Sequence, residues 1–321
     1  MAFIKALSYY LPERIITNEE LCQELDDPKI DSLSKQAGIR VRHVAAPHQT
    51  AADMAIEAAR NLFNEYGINP TDIGFVLYCT QCSDYQIPSS SCIIQDQLGI
   101  PVTAGAVTID SGCSGFVYGL ALANSLIEAG VSDSVLFLTS DTSSKNLLPK
   151  DKNRMLFGDA AAATLIGKEG IAEIGKFVLG TDGSGYDKLI IRNGGSRNKA
   201  KDGSDGDYVY MDGEAIFNFT MERVPPMITQ VLSSNGISQD LIDYYVFHQP
   251  NKFMLTMLRK ICGIPKEKFY INLEETGNTT SSSVPVGLAN CIADGTIHQG
   301  MNVMISGFGV GLSWGGAVLK F

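Results

Sequence analysis

The reactive chemistry of this sequence centres on one cysteine, Cys113, in the segment IDSGCSGF at 109–116. The apolar run 104–109 before it predicts a buried strand, and apolar residues at helical spacing after it predict a helix that ends at Gly130. A thiol at a helix N-terminus lies near unpaired N–H groups and a positive dipole end, which favour the thiolate. We therefore expect an activated nucleophile with a lowered pKa, and the alternative from this segment alone is a buried structural cysteine.

Two further side chains can do polar chemistry where predicted elements change. His248 directly follows an apolar strand and precedes a predicted helix that runs to about position 262. Its imidazole can donate or accept a hydrogen bond near neutral pH. Asn278 heads the small-residue segment 278–283 and offers an amide donor. The alternatives are a hydrogen-bonded structural histidine and an ordinary asparagine N-cap.

A glycine-rich string, ISGFGVGLSWGG at 305–316, lies between two predicted apolar strands. Glycine lets the backbone approach a ligand closely, so the string is a candidate source of an N–H group that binds an oxyanion. It is no dinucleotide-binding fingerprint, because no helix follows and the glycine spacing differs. The chain also lacks a GxSxG elbow and a GxxxxGK[ST] phosphate loop.

The elements that must position these residues alternate between strands and helices, which indicates an α/β architecture with right-handed crossovers. Helices are predicted over 18–25, 51–66 and 89–98, and strands over 1–10, 73–80 and 135–140. The stretch 26–35 is polar and without a predicted element. The segment 180–212, rich in Gly, Asp, Ser and Lys, predicts a long surface loop beside the site, either a functional lid or an idle excursion.

Repeated spacings indicate a duplicated unit. Cys113 lies 17 residues before Gly130, and Asn278 lies 17 residues before Gly295. The motif LGIP at the end of one predicted helix is matched by CGIP at the end of another. We therefore predict two halves, residues 1–170 and 171–321, that bring cysteine, histidine and asparagine to one central seam.

Composition narrows the class of protein. The chain has 321 residues, 45% of them hydrophobic, and no apolar run of the roughly 18 residues that a membrane span needs. The N-terminus lacks the layout of a secretory signal, so we expect a cytoplasmic protein. The formal net charge of −10 argues against nucleic-acid binding, and seven scattered cysteines favour free thiols.

Six motifs then occur in order along the chain: GIRVRH at 38–43, the Cys113 turn, LFGDAAAA at 156–163, HQPN at 248–251, GNTTSSSVP at 277–285 and GFGVGLSWG at 307–315. With these motifs the chain resembles β-ketoacyl-acyl-carrier-protein synthase III, a condensing enzyme of the thiolase-like superfamily, from its first strand to its last residue. The resemblance implies a five-layer α-β-α-β-α fold of two similar halves and a homodimer.

The resemblance also implies a reaction: decarboxylative Claisen condensation of an acyl thioester primer with malonyl-acyl-carrier-protein. Cys113 matches the nucleophile that holds the acyl group, and His248 and Asn278 match the pair that promotes decarboxylation. We expect the backbone N–H groups of Cys113 and Val310 to hold the oxyanion. Loss of carbon dioxide generates the carbon nucleophile, so no metal or redox cofactor is expected.

Substrate and carrier contacts follow from the same resemblance. Phe308 and Gly309 are expected at the substrate pocket, together with Ile87 supplied by the partner subunit. A residue smaller than the usual Phe at position 87 favours a longer or branched primer. A basic patch on one helix face is the candidate site for docking the acyl carrier protein, and its alternative is an ordinary solvated surface: Lys252, Arg259 and Lys260.

The sequence departs from the family at two positions that hold coenzyme A. The usual Trp before the GIR motif and the usual Arg before the LFGD motif, which sandwich the adenine, are here Ser32 and Asp151. Loss of this stacking removes about 1–3 kcal/mol. The primer can therefore arrive on coenzyme A or on an acyl carrier protein.

Competing interpretations remain at this point. Cys79 and Cys82 have CxxC spacing, but they end a predicted strand and lack a second ligand pair, which disfavours a metal or redox site. A relative that transfers an acyl group from Cys113 to an alcohol or amine, without decarboxylation, is the closest rival. A non-catalytic carrier-binding protein is a third.

Overall fold

The structure of the protein is a computed structural model that describes residues 1–199, 201 and 203–321. The described strands are β1 (Phe3–Tyr10), β2 (Arg14–Thr17), β3 (Val41–Val44), β4 (Phe75–Cys79), β5 (Gly105–Ile109), β6 (Ser134–Asp141), β7 (Ala160–Gly167), β8 (Ala172–Ile174), β9 (Val178–Thr181), β10 (Leu189–Ile190), β11 (Tyr210–Met211), β12 (Tyr244–Phe247), β13 (Asn302–Gly309) and β14 (Ser313–Lys320). The helices are α1 (Asn18–Leu25), α2 (Lys29–Ala37), α3 (Ala51–Tyr66), α4 (Ser90–Gln97), α5 (Gly115–Glu128), α6 (Gly213–Asn235), α7 (Lys252–Ile261) and α8 (Ser283–Ala293).

Local sequence explains where the two long outer helices begin and end. The Thr50 side chain accepts from the Asp53 N–H and the Asp53 carboxylate accepts from the Thr50 N–H, which closes a capping box at the start of α3. The Asp212 carboxylate caps α6 by accepting from the Ala215 N–H, without the reciprocal bond. Gly67 and Gly236 end these helices in the left-handed region, at φ 64° and 63°.

Ten of the described strands form one mixed sheet, which has two halves. In the N-terminal half β4 is parallel to both β5 and β6, while β7 is antiparallel to both β6 and β1. In the C-terminal half β12 is parallel to β13, and β14 is antiparallel to β13 and β9. The short strand β8 pairs with β1 and with β14, so it joins the two halves edge to edge.

Helices cover both halves of the sheet and fill the space between them. The buried helices α5 and α8 pack against strands of both halves and form the central layer. Helices α3 and α4 cover the outer face of the N-terminal half, and α6 and α7 cover that of the C-terminal half. The expected α-β-α-β-α order is therefore confirmed, whereas a boundary between residues 170 and 171 stays a prediction.

Two local expectations need correction. The polar stretch 26–35 contains most of α2, which buries only Ile30, Ser34 and Ala37 and so carries a weak apolar signal. The segment 180–212 is not plain loop, because its described part includes the β10–β11 hairpin pairing Leu189 with Met211. Positions 200 and 202 of that segment lie outside the described residues.

Among the residues that the structure describes, no helix combines the length and apolar character that crossing a bilayer requires.

Candidate active site

Cys113 lies on the turn between β5 and α5, as predicted, and its side chain is buried. The end of β13 packs directly on it: a methyl group on Gly309 would stand 2.8 Å from Cys113 Cβ and 3.0 Å from its Sγ. A methyl group on Gly307 would stand 2.9 Å from the Cys113 carbonyl oxygen. The glycines of the 305–316 string are therefore required for the close approach of β13 to the thiol.

The expected low pKa of the Cys113 thiol is wrong. Its pKa is raised to about 12, chiefly by burial and also by the carboxylate of Asp141, while hydrogen bonds from the backbone of Val310 and of Cys113 itself oppose the rise. Burial disfavours the thiolate more than the helix start favours it. Cys113 is a neutral thiol in the resting protein, and the Val310 and Cys113 N–H groups already converge on its sulfur.

His248 follows β12 at the place predicted for it and is buried and neutral. Burial lowers its pKa to about 3, partly opposed by a hydrogen bond to the Thr280 backbone. Its Nδ1 lies 2.8 Å from the Ser283 hydroxyl, and its ring meets the Phe308 ring edge to face with centroids 5.5 Å apart. A neutral imidazole held on its Nδ1 side has Nε2 left to interact with a ligand.

Asn278 lies before a 3₁₀ turn, Thr280–Ser282, that leads into α8. Asn278 is not the N-cap of either element, because Thr279 precedes the 3₁₀ turn and Ser282 precedes α8. Its Oδ1 accepts from the Thr280 N–H at 2.9 Å in an Asx turn. The amide nitrogen consequently faces the other way. The backbone is held as well, because the Asn278 N–H donates to the Leu156 carbonyl and its own carbonyl accepts from the Gly158 N–H.

Two short segments bring the three side chains to one place. At the end of β13, Phe308 packs on His248 while the next residue, Gly309, packs on Cys113. The segment 278–283 carries Asn278 and reaches His248 through Ser283. These residues come from four distant parts of the chain, and the seam between the two sheet halves is where they meet.

A buried carboxylate that the sequence analysis did not single out ties the site together. Asp141, the last residue of β6, accepts from the Gln81 N–H at 2.7 Å and from the hydroxyls of Thr280 at 2.6 Å and Ser281 at 3.0 Å. It therefore anchors the turn beyond Asn278 to the N-terminal half. A polar residue at the carboxyl end of a predicted parallel strand was the available signal.

A cavity of about 340 Å³ opens beside the thiol. Its lining comes from the β5–α5 turn, α5, β9, the glycine string and the segment after β4, and includes Gln81, Tyr118, Leu122, Thr181 and Val310. The three residues expected at the substrate pocket are not in this lining: Phe308 packs on His248, Gly309 packs on Cys113, and Ile87 is 86% exposed. Their pocket role stays a prediction.

Several side chains at the positions expected to bind coenzyme A or the acyl carrier protein form hydrogen bonds to nearby backbone groups. The Ser32 hydroxyl donates to the Lys29 carbonyl, and the Asp151 carboxylate caps a 3₁₀ turn by accepting from the Asn153 N–H. Neither offers a stacking face. In the basic patch, Lys252 and Lys260 are exposed, but the Arg259 guanidinium donates to the Ile264 carbonyl at 2.7 Å and is partly committed to ending α7.

The CxxC pair consists of two thiols with different partners. Cys79 donates to the Ser111 carbonyl, and Cys82 accepts from the Asn146 amide. Burial raises the pKa of both thiols above the usual range. Within the described ranges, no cluster of three or more His, Cys, Asp or Glu side chains is arranged to hold a metal ion.

Comparisons with known proteins point in one direction. The sequence profile described as 3-Oxoacyl-[acyl-carrier-protein (ACP)] synthase III matches residues 108–183, and its C-terminal counterpart matches residues 232–321. The chain is 34% identical to Beta-ketoacyl-[acyl-carrier-protein] synthase III of Caldanaerobacter subterraneus subsp. tengcongensis over 318 residues, which covers 97% of this chain and 95% of that one.

Solved structures agree with the sequence comparisons. A crystal structure of a 3-oxoacyl-(acyl-carrier-protein) synthase III superposes with a TM-score of 0.95 at 42% identity, covering 100% of this chain and 99% of the other. The 3-oxoacyl-(acyl-carrier protein) synthase of Burkholderia xenovorans LB400 gives a TM-score of 0.93 at 31% identity, covering 99% and 93%. The similarity extends over the whole chain in both sequence and fold.

Proposed function

Because this chain belongs to the 3-oxoacyl-[acyl-carrier-protein] synthase III family, we propose that it condenses an acyl thioester primer with malonyl-acyl-carrier-protein and releases carbon dioxide. The product is a 3-oxoacyl-acyl-carrier-protein. The observation that carries the proposal is the arrangement around Cys113: two backbone N–H groups converge on a buried thiol, next to a neutral histidine and an oriented asparagine amide.

In the first half-reaction the Cys113 sulfur attacks the carbonyl carbon of the primer thioester. The N–H groups of Cys113 and Val310 stabilise the oxyanion that forms. The thiol gives up its proton, the bond to the carrier sulfur breaks, and the departing carrier thiol is protonated, so the exchange is neutral overall. The acyl group then lies on the enzyme.

In the second half-reaction the His248 Nε2 and the Asn278 amide donate to the thioester oxygen of the malonyl group. These donors stabilise the enolate that remains when the bond to carbon dioxide breaks. The enolate carbon attacks the acyl-Cys113 carbonyl, and the thiolate that leaves takes up a proton. Burial keeps His248 uncharged, which suits a donor that must not trap the malonyl carboxylate as a fixed ion pair.

Mass spectrometry tests the nucleophile. Incubation with a panel of acyl-CoA and acyl-carrier primers is expected to leave an acyl adduct on the Cys113 peptide, and Cys113→Ala is expected to abolish it. Cys82→Ala is the control, because that thiol is free as well but bonds to Asn146 instead. Absence of the adduct with every primer, or its persistence in Cys113→Ala, contradicts the assignment.

The pair His248 and Asn278 is tested by separating the half-reactions. Replacing either by alanine is expected to leave acylation largely intact and to slow release of labelled carbon dioxide from malonyl-carrier by roughly 10² or more. Unchanged malonyl turnover in either variant removes that residue from the decarboxylation step. The same assay addresses the rival acyl transfer to an alcohol or amine, which releases no carbon dioxide and is not favoured by the relatives.

We further propose that the enzyme is a homodimer in which Ile87 closes the partner's primer cavity. Support comes from exposed apolar side chains near the free edge of the sheet: Ile87, Tyr85 and Val107. Within the described residues β5 pairs only with β4, so its other edge is open. Sedimentation of wild type at twice the monomer mass, and of Ile87→Asp at the monomer mass with loss of primer binding, is the expected outcome.

The carrier of the primer is proposed from the surface near α7. Phe253 is exposed and stacks on Phe217 with centroids 5.7 Å apart, beside Lys252. A basic and aromatic surface suits an acidic carrier protein, whereas Ser32 and Asp151 provide no stacking for adenine. Charge reversal at Lys252 and Lys260 is expected to lower turnover with carrier-bound primers; unchanged turnover removes these lysines from the docking site.

A further inference from the structure

A second cavity, of about 180 Å³, lies on the N-terminal half and shares no lining residue with the one beside Cys113. Strands β2 and β3, helix α1 and the segment 144–157 surround it. Three of its lining residues are arginines: Arg14, Arg42 and Arg154. We call it the arginine cavity.

Arg42 is a buried cation that has no acidic partner among the residues that the structure describes. Its side chain is 1% exposed, and its three hydrogen bonds go to neutral oxygens, those of Asn18 at 2.7 Å, Met155 at 3.1 Å and Ile16 at 3.4 Å. Its Nε is buried and has no partner within the described part of the chain. A buried charge of this kind is costly unless something anionic compensates it.

The other charges around the cavity do not compensate Arg42. Glu24 is the one carboxylate among the described lining residues, and it accepts from the Arg154 guanidinium at 2.6 Å. The buried carboxylate of Asp159 is not part of the lining, and it accepts hydrogen bonds from the N–H groups of Ser144 and Ala45. Arg14 is exposed at the rim, where its charge also acts on Glu20 outside the cavity. The lining therefore carries three positive charges and one negative charge.

We propose that the arginine cavity binds a phosphate group, either free phosphate or the phosphate of a nucleotide. Guanidinium groups recognise phosphate through charge-assisted N–H donors; Arg14 offers such donors at the exposed rim, and Arg42 adds a positive charge to the lining. The volume corresponds to about six water molecules at roughly 30 Å³ each, which is ample for a tetrahedral oxyanion. This inference does not depend on the proposed reaction.

The bound group would lie against the segment that holds Asn278. Phe157 lines the arginine cavity, and the Met155 carbonyl accepts from Arg42. The residues on either side of Phe157, Leu156 and Gly158, make the two backbone hydrogen bonds to Asn278. Occupancy is therefore expected to slow hydrogen exchange at the Gly158 and Asn278 amides.

Calorimetric titration of the full chain tests the proposal with two probes, sodium phosphate and adenosine 3′,5′-bisphosphate, each against sodium chloride at matched ionic strength. Arg14→Gln is expected to weaken binding about tenfold, because it removes one charge-assisted hydrogen bond. Glu24→Gln is expected to tighten binding severalfold, since it removes a negative charge from the lining and leaves that of Arg154 uncompensated. The matched control is Arg60→Gln, on the surface of α3 and paired with Glu57, which is expected to change nothing.

The outcomes separate the sources of the phosphate. Binding of sodium phosphate alone identifies a free-anion site, and binding of the bisphosphate alone identifies a nucleotide site; either result supports the proposal when Arg14→Gln weakens it and the two amides gain protection. No binding of either probe overturns it. So does binding that Arg14→Gln leaves as strong as Arg60→Gln does.

Discussion

Replacing Ser283 by alanine is expected to slow decarboxylation while leaving acylation of Cys113 nearly unchanged. The Ser283 hydroxyl has one proton and two acceptors in reach, the His248 Nδ1 at 2.8 Å and the Thr280 carbonyl at 2.9 Å. A neutral imidazole carries a single N–H. Its Nε2 can donate to a thioester oxygen only when Nδ1 accepts, so in that step the Ser283 proton must turn from the Thr280 carbonyl, to which it is donated in the structure, towards the His248 Nδ1.

The size of the effect follows from the bonds lost. One neutral hydrogen bond contributes about 0.5–1.5 kcal/mol, which corresponds to a roughly two- to twelvefold change in rate. The variant also removes the acceptor of the Gln249 N–H, which donates to Ser283 at 3.3 Å. We therefore expect the free energy of unfolding to fall by about 1–3 kcal/mol as well.

The assay measures two rates on the same preparation: formation of the acyl adduct by mass spectrometry, and release of labelled carbon dioxide from malonyl-carrier. Ser282→Ala is the matched control, because the neighbouring hydroxyl is equally buried but bonds to Thr139 and Ala160. Equal slowing of decarboxylation in both variants, or equal slowing of both half-reactions in Ser283→Ala, refutes the reasoning.

Three further predictions concern the same site. Gly309→Ala places a methyl group 2.8 Å from Cys113 Cβ, so acylation measured by adduct formation should fall at least about tenfold with little change in the malonyl Km. Since the pKa of His248 is lowered to about 3, the decarboxylation rate should show no inflection near pH 6.5. Between pH 6.5 and 3 only the unfolded chain protonates this histidine. The free energy of unfolding, measured with urea, should therefore fall as the pH falls through this range, by up to about 1.4 kcal/mol per pH unit from this group. Asp141→Asn, which turns one acceptor of the Thr280 and Ser281 hydroxyls into a donor, should lower the free energy of unfolding by about 1–3 kcal/mol and slow decarboxylation more than acylation.

Many of the helices and strands could be predicted from the sequence, because neighbouring residues determine where they begin and end. Helices α1 and α3 occur at their predicted bounds, since capping boxes start them and left-handed residues end them. The equal spacing from Cys113 and Asn278 to their glycines reflects the central pair α5 and α8. Helix α2 was missed because its few buried residues are stabilised by contacts with α1 and α7, which no local pattern contains.

The sequence by itself determined where Cys113, His248 and Asn278 lie relative to the strands and helices, because the residues around each of them specify a strand or helix end. The protonation states were decided by the tertiary structure. A helix start alone predicts a thiolate at Cys113, but burial between two halves of a sheet raises its pKa to about 12 and lowers that of His248 to about 3. All five layers together exclude water from the site, and the pKa of a buried group depends on that exclusion.

For the arginine cavity, too, the sequence supplies the residues and the tertiary structure decides their environment. The motif GIRVRH marks Arg42 as a residue of the chain's first motif, and nothing in that motif distinguishes it from an exposed cation. Only the packing of β3 against α1 and the segment 144–157 buries its guanidinium away from carboxylates. Composition determined how many charges the protein has, and folding decided which of them water no longer compensates.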